Sequence, residues 1–211
     1  MYDILKDKYD IRLLQPCERL DAPVCSHADM TVGVIDGRVI VTREYFEKNG
    51  DLFSGLDPVI TDEEQGREYP RDILLNFIDA KTAVVGLEKH ITKHAKTKPV
   101  INVKQGYARC STLSGGGYAV SADAGILSAL SSLGYDTLRI SAEDIVLNGY
   151  GYGFIGGASF DDGRDVYFFG SLSYHKDGER IRTFLHAHGA VVHELDDTPL
   201  TDLGGAVITS L

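Results

Sequence analysis

Three things are scarce in this sequence: cysteine, long apolar runs and positive charge. Its three cysteines, Cys17, Cys25 and Cys110, cannot all pair, and their spacing matches no zinc-binding pattern. A disulfide framework is thereby excluded, no metal site is expected, and a reducing cytoplasm is the simplest location. No apolar run reaches the roughly 20 residues needed to cross a bilayer. The opening residues Met1–Asp7 lack the apolar core of a secretion signal, so no membrane partner is expected. Lys and Arg total 21 against 31 Asp and Glu, a net charge of −10. A broad contact with a phosphate backbone needs many cations, which argues against a nucleic-acid partner.

What is present is a repeat of strand, strand, helix, strand. Its clearest copy runs through Gln105–Ser114, a turn at Gly115–Gly117, Tyr118–Ala122, a helix over Asp123–Leu133 stopped by Gly134, and Thr137–Ile140. The next copy is Gly153–Phe160, a turn at Asp161–Gly163, Val166–Gly170, a helix from about His175 to His188, and Val191–Leu195. The same order fits Val24–Ile35, Val39–Thr42, a short helix Arg43–Lys48 and Pro58–Ile60. It fits more loosely Asp72–Ile78, Ala83–Gly86, a polar helical stretch Leu87–Lys96 and Val100–Val103. The ends read as two halves of a fifth copy: Asp202–Ser210 gives a strand, and the N-terminus gives a helix (Tyr2–Lys8) and a strand (Ile11–Leu14). One α/β domain over residues 1–211 is therefore expected, with modules at 24–61, 70–103, 104–141, 152–195 and 202–211 completed by 1–14. Pairing of the N- and C-terminal segments would close the ring and remove exposed sheet edges. An ordinary α/β sandwich is the alternative.

Four runs carry a resemblance: Ser26-His27-Ala28-Asp29-Met30, Tyr69–Asn76, Lys104–Ser111 and Gly151–Ser159. Together they resemble a bacterial family grouped with the pentein, or guanidino-group-modifying, fold. The resemblance covers nearly the whole chain and carries no established reaction with it. It implies an α/β propeller of about five ββαβ modules with pseudo-fivefold symmetry around a central channel. Enzymes of the wider superfamily (arginine and agmatine deiminases, amidinotransferases, dimethylarginine hydrolases) use a His-x-Asp pair and a cysteine nucleophile in that channel. His27-Ala28-Asp29 looks like the pair. The nucleophile should lie in the last module after a glycine-rich turn, where this chain reads Gly204-Gly205-Ala206-Val207-Ile208-Thr209-Ser210. Thr209 or Ser210 would be a far weaker nucleophile than a thiolate. The superfamily also includes translation initiation factor 6, an interaction protein that catalyses nothing.

In the repeat register, strand alternation places His27, Tyr107, Phe154 and Asp202 on one level of the channel. Asp29, Arg109, Gly156 and Gly204 form the next, and Asp72, Leu74 and Asn76 join from the second module. His27 and Asp202 are the expected acid–base pair. Asp29, Asp72, Asn76, Tyr107, Arg109 and Phe154 are the expected ligand-binding residues: the carboxylates accept from a planar cation, the rings offer cation–π faces, and Arg109 welcomes a carboxylate. Mutual neutralisation of Arg109 and Asp29 is the plainer reading. The small-molecule partner is thus an arginine-like or other guanidino compound. The alternatives are an amidine or guanidine hydrolase without a catalytic cysteine, and a non-enzymatic interaction protein. A homodimer is the default assembly.

By the same alternation Cys110 faces away from the channel. Cys25 shares the face of His27 but lies too far along the strand for direct contact. Gly151-x-Gly153-x-x-Gly156 matches a dinucleotide fingerprint in letters, but no helix is expected after it, so no cofactor is predicted. His90 and His94 read as a solvated helix face, and His186, His188 and His193 as residues near a helix end and the following strand.

Overall fold

The structure is a computed structural model and describes residues 2–209. It is a mixed α/β chain built from four three-stranded sheets. A short helix α1 (Tyr2–Leu5) opens the chain, and a single helical turn α2 (Ala28–Thr31) precedes the first sheet. That sheet holds β1 (Gly33–Ile35), β2 (Arg38–Thr42) and β3 (Val59–Thr61), with α3 (Arg43–Asn49) between β2 and β3. The second holds β4 (Ile78–Ala80), β5 (Ala83–Gly86) and β6 (Val100–Asn102). The third holds β7 (Thr112–Ser114), β8 (Tyr118–Ser121) and β9 (Asp136–Arg139), with α4 (Ala124–Ser132) crossing over. The fourth holds β10 (Ser159–Asp162), β11 (Asp165–Phe168) and β12 (Val191–Glu194), with α5 (Gly178–Ala187).

All four sheets share one topology. The first two strands form an antiparallel hairpin, and the third returns parallel to the second. The second strand is central and carries the β-branched residues. Ile40, Val41, Val84, Val85, Val120 and Val166 are all fully buried, each worth roughly 1.5–3 kcal/mol in apolar burial. The turns follow local chemistry: Asp36 and Gly37 both take positive φ between β1 and β2, as a two-residue hairpin requires. Asp123 caps α4 by accepting from the Ile126 amide at 2.8 Å, and Gly134 at φ +81° ends the α4 region.

Two expectations are corrected. The segments expected to begin as strands near residues 26, 72, 106 and 153 are instead tight helical turns just before the first strand of each sheet. The amides of Thr31, Ser111 and Ala158 donate to the carbonyls of His27, Tyr107 and Phe154, four residues back. These three residues therefore hold equivalent places, but their neighbours follow a helical period rather than a period of two. In the second module the Leu87–Lys96 stretch gives only a short 3-10 helix, Lys93–Thr97.

The fifth module is not a sheet. The chain from Asp202 to Thr209 forms no strand, and Ser210 lies outside the described residues. Pro199 and Thr201 make only isolated parallel bridges, to Ser171 and Val146. Ile11–Leu14 is also irregular. The N-terminal segment nevertheless links the first and last modules. Lys8 pairs with Asp165 at 2.9 Å and Asp162 at 3.1 Å, while Arg12 donates to the carbonyls of Leu52 and Ser54. Among the described residues, no helix is long and apolar enough to cross a membrane.

Candidate functional site

The four helical turns converge on one buried centre. The residue three places after His27 is Met30; the matching residues in the third and fourth modules are Cys110 and Gly157. Asn76 closes the set from the second module. Its Nδ2 lies 2.8 Å from Cys110 Sγ, 3.5 Å from Met30 Sδ and 2.9 Å from the Asp29 carbonyl, while its Oδ1 accepts from the Arg109 amide at 2.9 Å. Asn76 is thus fully engaged in joining modules and has no reach left for a ligand.

Cys110 does not face away from this centre, because the helical turn rotates it inward beside Asn76 and Met30. Burial pushes its thiol well above the ordinary value, and the nearby charges of Asp29 and Asp202 push it further. A thiol held protonated in this way is a poor nucleophile.

His27 lies between two carboxylates. Its Nδ1 is 3.6 Å from Asp202 Oδ1 and 3.9 Å from Asp29 Oδ1. All three side chains are buried, which holds the imidazole below its ordinary value, with Asp29 pulling the other way. Asp202 accepts from the Phe154 amide at 2.8 Å and the Gly204 amide at 3.1 Å. Burial, reinforced by the charge of Asp29, nevertheless pushes its carboxyl up to about 7. A neutral imidazole and a carboxyl titrating near 7 sit together, one able to accept a proton and the other able to give one.

Asp29 is the anomaly. It is 2% exposed, and its carboxylate meets no strong donor: its neighbours are the Cys110 thiol, a weak donor, and the His27 imidazole at 3.9 Å. Arg109 makes no hydrogen bond or close ion pair with it, since its guanidinium donates to the Val32 carbonyl at 2.9 Å and the Ala206 carbonyl at 3.3 Å, although the charge of Asp29 is felt at the buried guanidinium. Both residues border a cavity of about 130 Å³, with Thr112, Ser159 and Gly156 on its wall. Thr112 Oγ1 is a second buried polar atom there without a partner. Burying a carboxylate with only weak or distant partners costs stability.

Gly156 and Gly204 sit in tight contacts. A Cβ at Gly156 would run into the carbonyls of Arg109, Cys110 and Thr112, and one at Gly204, whose φ is +82°, would overlap His27. The glycines permit close backbone approach. The segment after Gly156 is a turn leading into β10, with no helix at which a pyrophosphate would sit.

A family profile matches residues 1–207. The chain belongs to the family of unknown function DUF6873. A search of the curated proteins finds no match.

Asp72, Tyr107 and Phe154, expected beside Asp29 and Arg109, lie elsewhere. The Tyr107 hydroxyl donates to Asp72 Oδ2 at 2.6 Å, the Tyr107 and Phe154 rings are 6.0 Å apart, and none of the three borders the Asp29 cavity. Two residues on a helical turn are about 200° apart round the axis, so Tyr107 and Arg109 diverge. The sequence reading missed Thr112 and Met30. Both hold repeat positions, Thr112 opening β7 as Ser159 opens β10, and that equivalence was the available signal.

Proposed function

We propose that this chain is a pentein-type ring that binds a small guanidino or arginine-like compound, cationic group first, at Asp29. The bare, buried Asp29 carboxylate beside the cavity carries this reading. The cavity is about 130 Å³. A planar cationic head would sit at Asp29, and the rest of the ligand would meet other lining residues such as Ser114. Arg109 uses its Nη atoms on two carbonyls but carries five N–H donors in all, which leaves capacity for a ligand carboxylate. The identical topology of four modules, and an N-terminal segment bridging the last and first, support the ring, with the termini standing where a fifth module would be.

A second reading rests on His27 and Asp202. A neutral imidazole 3.6 Å from a carboxyl titrating near 7 could activate water against an amidine carbon, giving a hydrolase without a cysteine nucleophile. The test is a thermal-shift screen of arginine, agmatine and creatine against wild type and Asp29→Ala. One compound should raise the wild-type melting temperature and leave the variant's unmoved; release of ammonia, urea or amine from that compound selects the hydrolase. No shift with any compound favours an interaction protein.

A further inference from the structure

The loop that leads into the His27 turn begins and ends on a cysteine. The Cys17 amide donates to the Cys25 carbonyl at 2.8 Å, which closes the segment on itself. With standard bond lengths, that hydrogen bond holds the two Cα atoms within roughly 6.7 Å, inside the separation of about 4.4–6.8 Å that a disulfide spans. Both thiols are free, and both side chains pack in one apolar cluster with Leu20, Tyr45 and Phe53. The charge of a Cys25 thiolate is felt at Cys17, and the charges of both at the Tyr45 hydroxyl, so the two sulfurs share one side of the loop. The third cysteine, Cys110, is held elsewhere, against Asn76 and Met30.

We propose that Cys17 and Cys25 form a reversible thiol–disulfide pair, oxidised by a small disulfide of the glutathione class. The two cysteines differ in the way such an exchange requires. Cys25 is half-buried, its Sγ 3.1 Å from the Ala22 carbonyl, and a small reagent can reach it. Its thiolate attacks one sulfur of the small disulfide; a mixed disulfide forms on Cys25 and one small thiol leaves. Cys17 is 5% exposed, which keeps it from the reagent but not from its neighbour. Its sulfur displaces the second small thiol and joins Cys25. The two protons lost by the protein end on the two released thiols, and two electrons pass to the small disulfide. Burial raises the Cys17 thiol above its ordinary value while the amides of Arg19 and Leu20 pull it down, so this second step quickens as the pH rises. The crosslink bears on the site already described. Cys25 stands two residues before His27, whose amide donates to the Val24 carbonyl at 3.1 Å inside the same loop. Closing the disulfide fixes the loop that delivers that turn.

The test is incubation of the intact protein with oxidised glutathione, followed by thiol counting in denaturant and peptide mapping. The count should fall from three thiols to one, with Cys17 linked to Cys25, and dithiothreitol should restore it. The short crosslinked loop should raise the melting temperature by about 5–10 °C and slow amide exchange across residues 17–27. Cys17→Ser should stop at a stable mixed disulfide on Cys25, whereas Cys25→Ser should keep its remaining thiols through the same incubation. Three thiols after oxidation, a crosslink through Cys110, a wild-type mixed disulfide that never resolves, or exchange across 17–27 that the crosslink leaves unchanged would overturn the proposal.

Discussion

At the residue scale, the centre brings together groups whose charges oppose one another. Asp202 rises from an ordinary 3.8 to about 7 on folding, so between those values the native state holds a proton that the unfolded chain has released. Stability from this group is complete below pH 4 and is lost as the pH rises through 7. At about 1.4 kcal/mol per pH unit, the loss is at most about 4 kcal/mol. His27, held below its ordinary value, acts in the opposite sense: acidification destabilises the fold through it. Asp202→Asn should remove the first effect and leave the second, so that its melting temperature rises more steeply from pH 5 to pH 7 than that of wild type. Parallel profiles would show that Asp202 is already ionised at pH 5. Of the residues singled out from sequence, His27, Asp29 and Asp202 do meet, because His-x-Asp lies on one turn and the Asp202 loop packs against it. Cys110 was misplaced because alternation was applied to a segment that is not a strand.

At the element scale, the hairpins were legible from turn chemistry: Asp36-Gly37, Gly115–Gly117 and Asp161–Gly163 each stand between two β-branched or aromatic runs. The turns before them were not legible. A single helical turn is too short to show a 3.6-residue period, and Met30-Thr31-Val32-Gly33-Val34-Ile35 reads as one continuous strand. The difference matters, because a helical turn sends its first, third and fourth residues in separate directions, which splits the expected site into two. It also requires a glycine at the fourth place in the last module, where a Cβ on Gly157 would overlap the Asp202 carboxylate. Gly157→Ala should displace Asp202 and cost about 1–3 kcal/mol, a fall of roughly 2–12 °C for a chain this size. An unchanged melting temperature and pH profile would show that Asp202 has room to move.

At the scale of the whole molecule, four modules were readable from periodicity, while the fifth copy read from the termini forms no sheet. Side chains tie the N-terminal segment to the first and fourth modules. Leu5 and Tyr9 pack on the cluster of Phe160, Tyr167 and Phe169, and Arg12 reaches the first module. Deleting residues 1–12 should therefore loosen a contact between distant modules and not merely trim a tail. A loss of about 2 kcal/mol, or about 4–8 °C, is expected by calorimetry. A truncated chain that melts like the full one would mean that the N-terminal segment holds nothing together.

The central claim is that Asp29 is kept bare for a ligand and not for the fold. Structural carboxylates stabilise the proteins that contain them, whereas a buried carboxylate awaiting its partner destabilises the free protein. Melting temperatures of wild type and Asp29→Asn, each with and without agmatine, separate the two cases. The account predicts that Asp29→Asn melts higher than wild type alone and no longer responds to the ligand. A variant that melts lower than wild type, or that still responds, would contradict it.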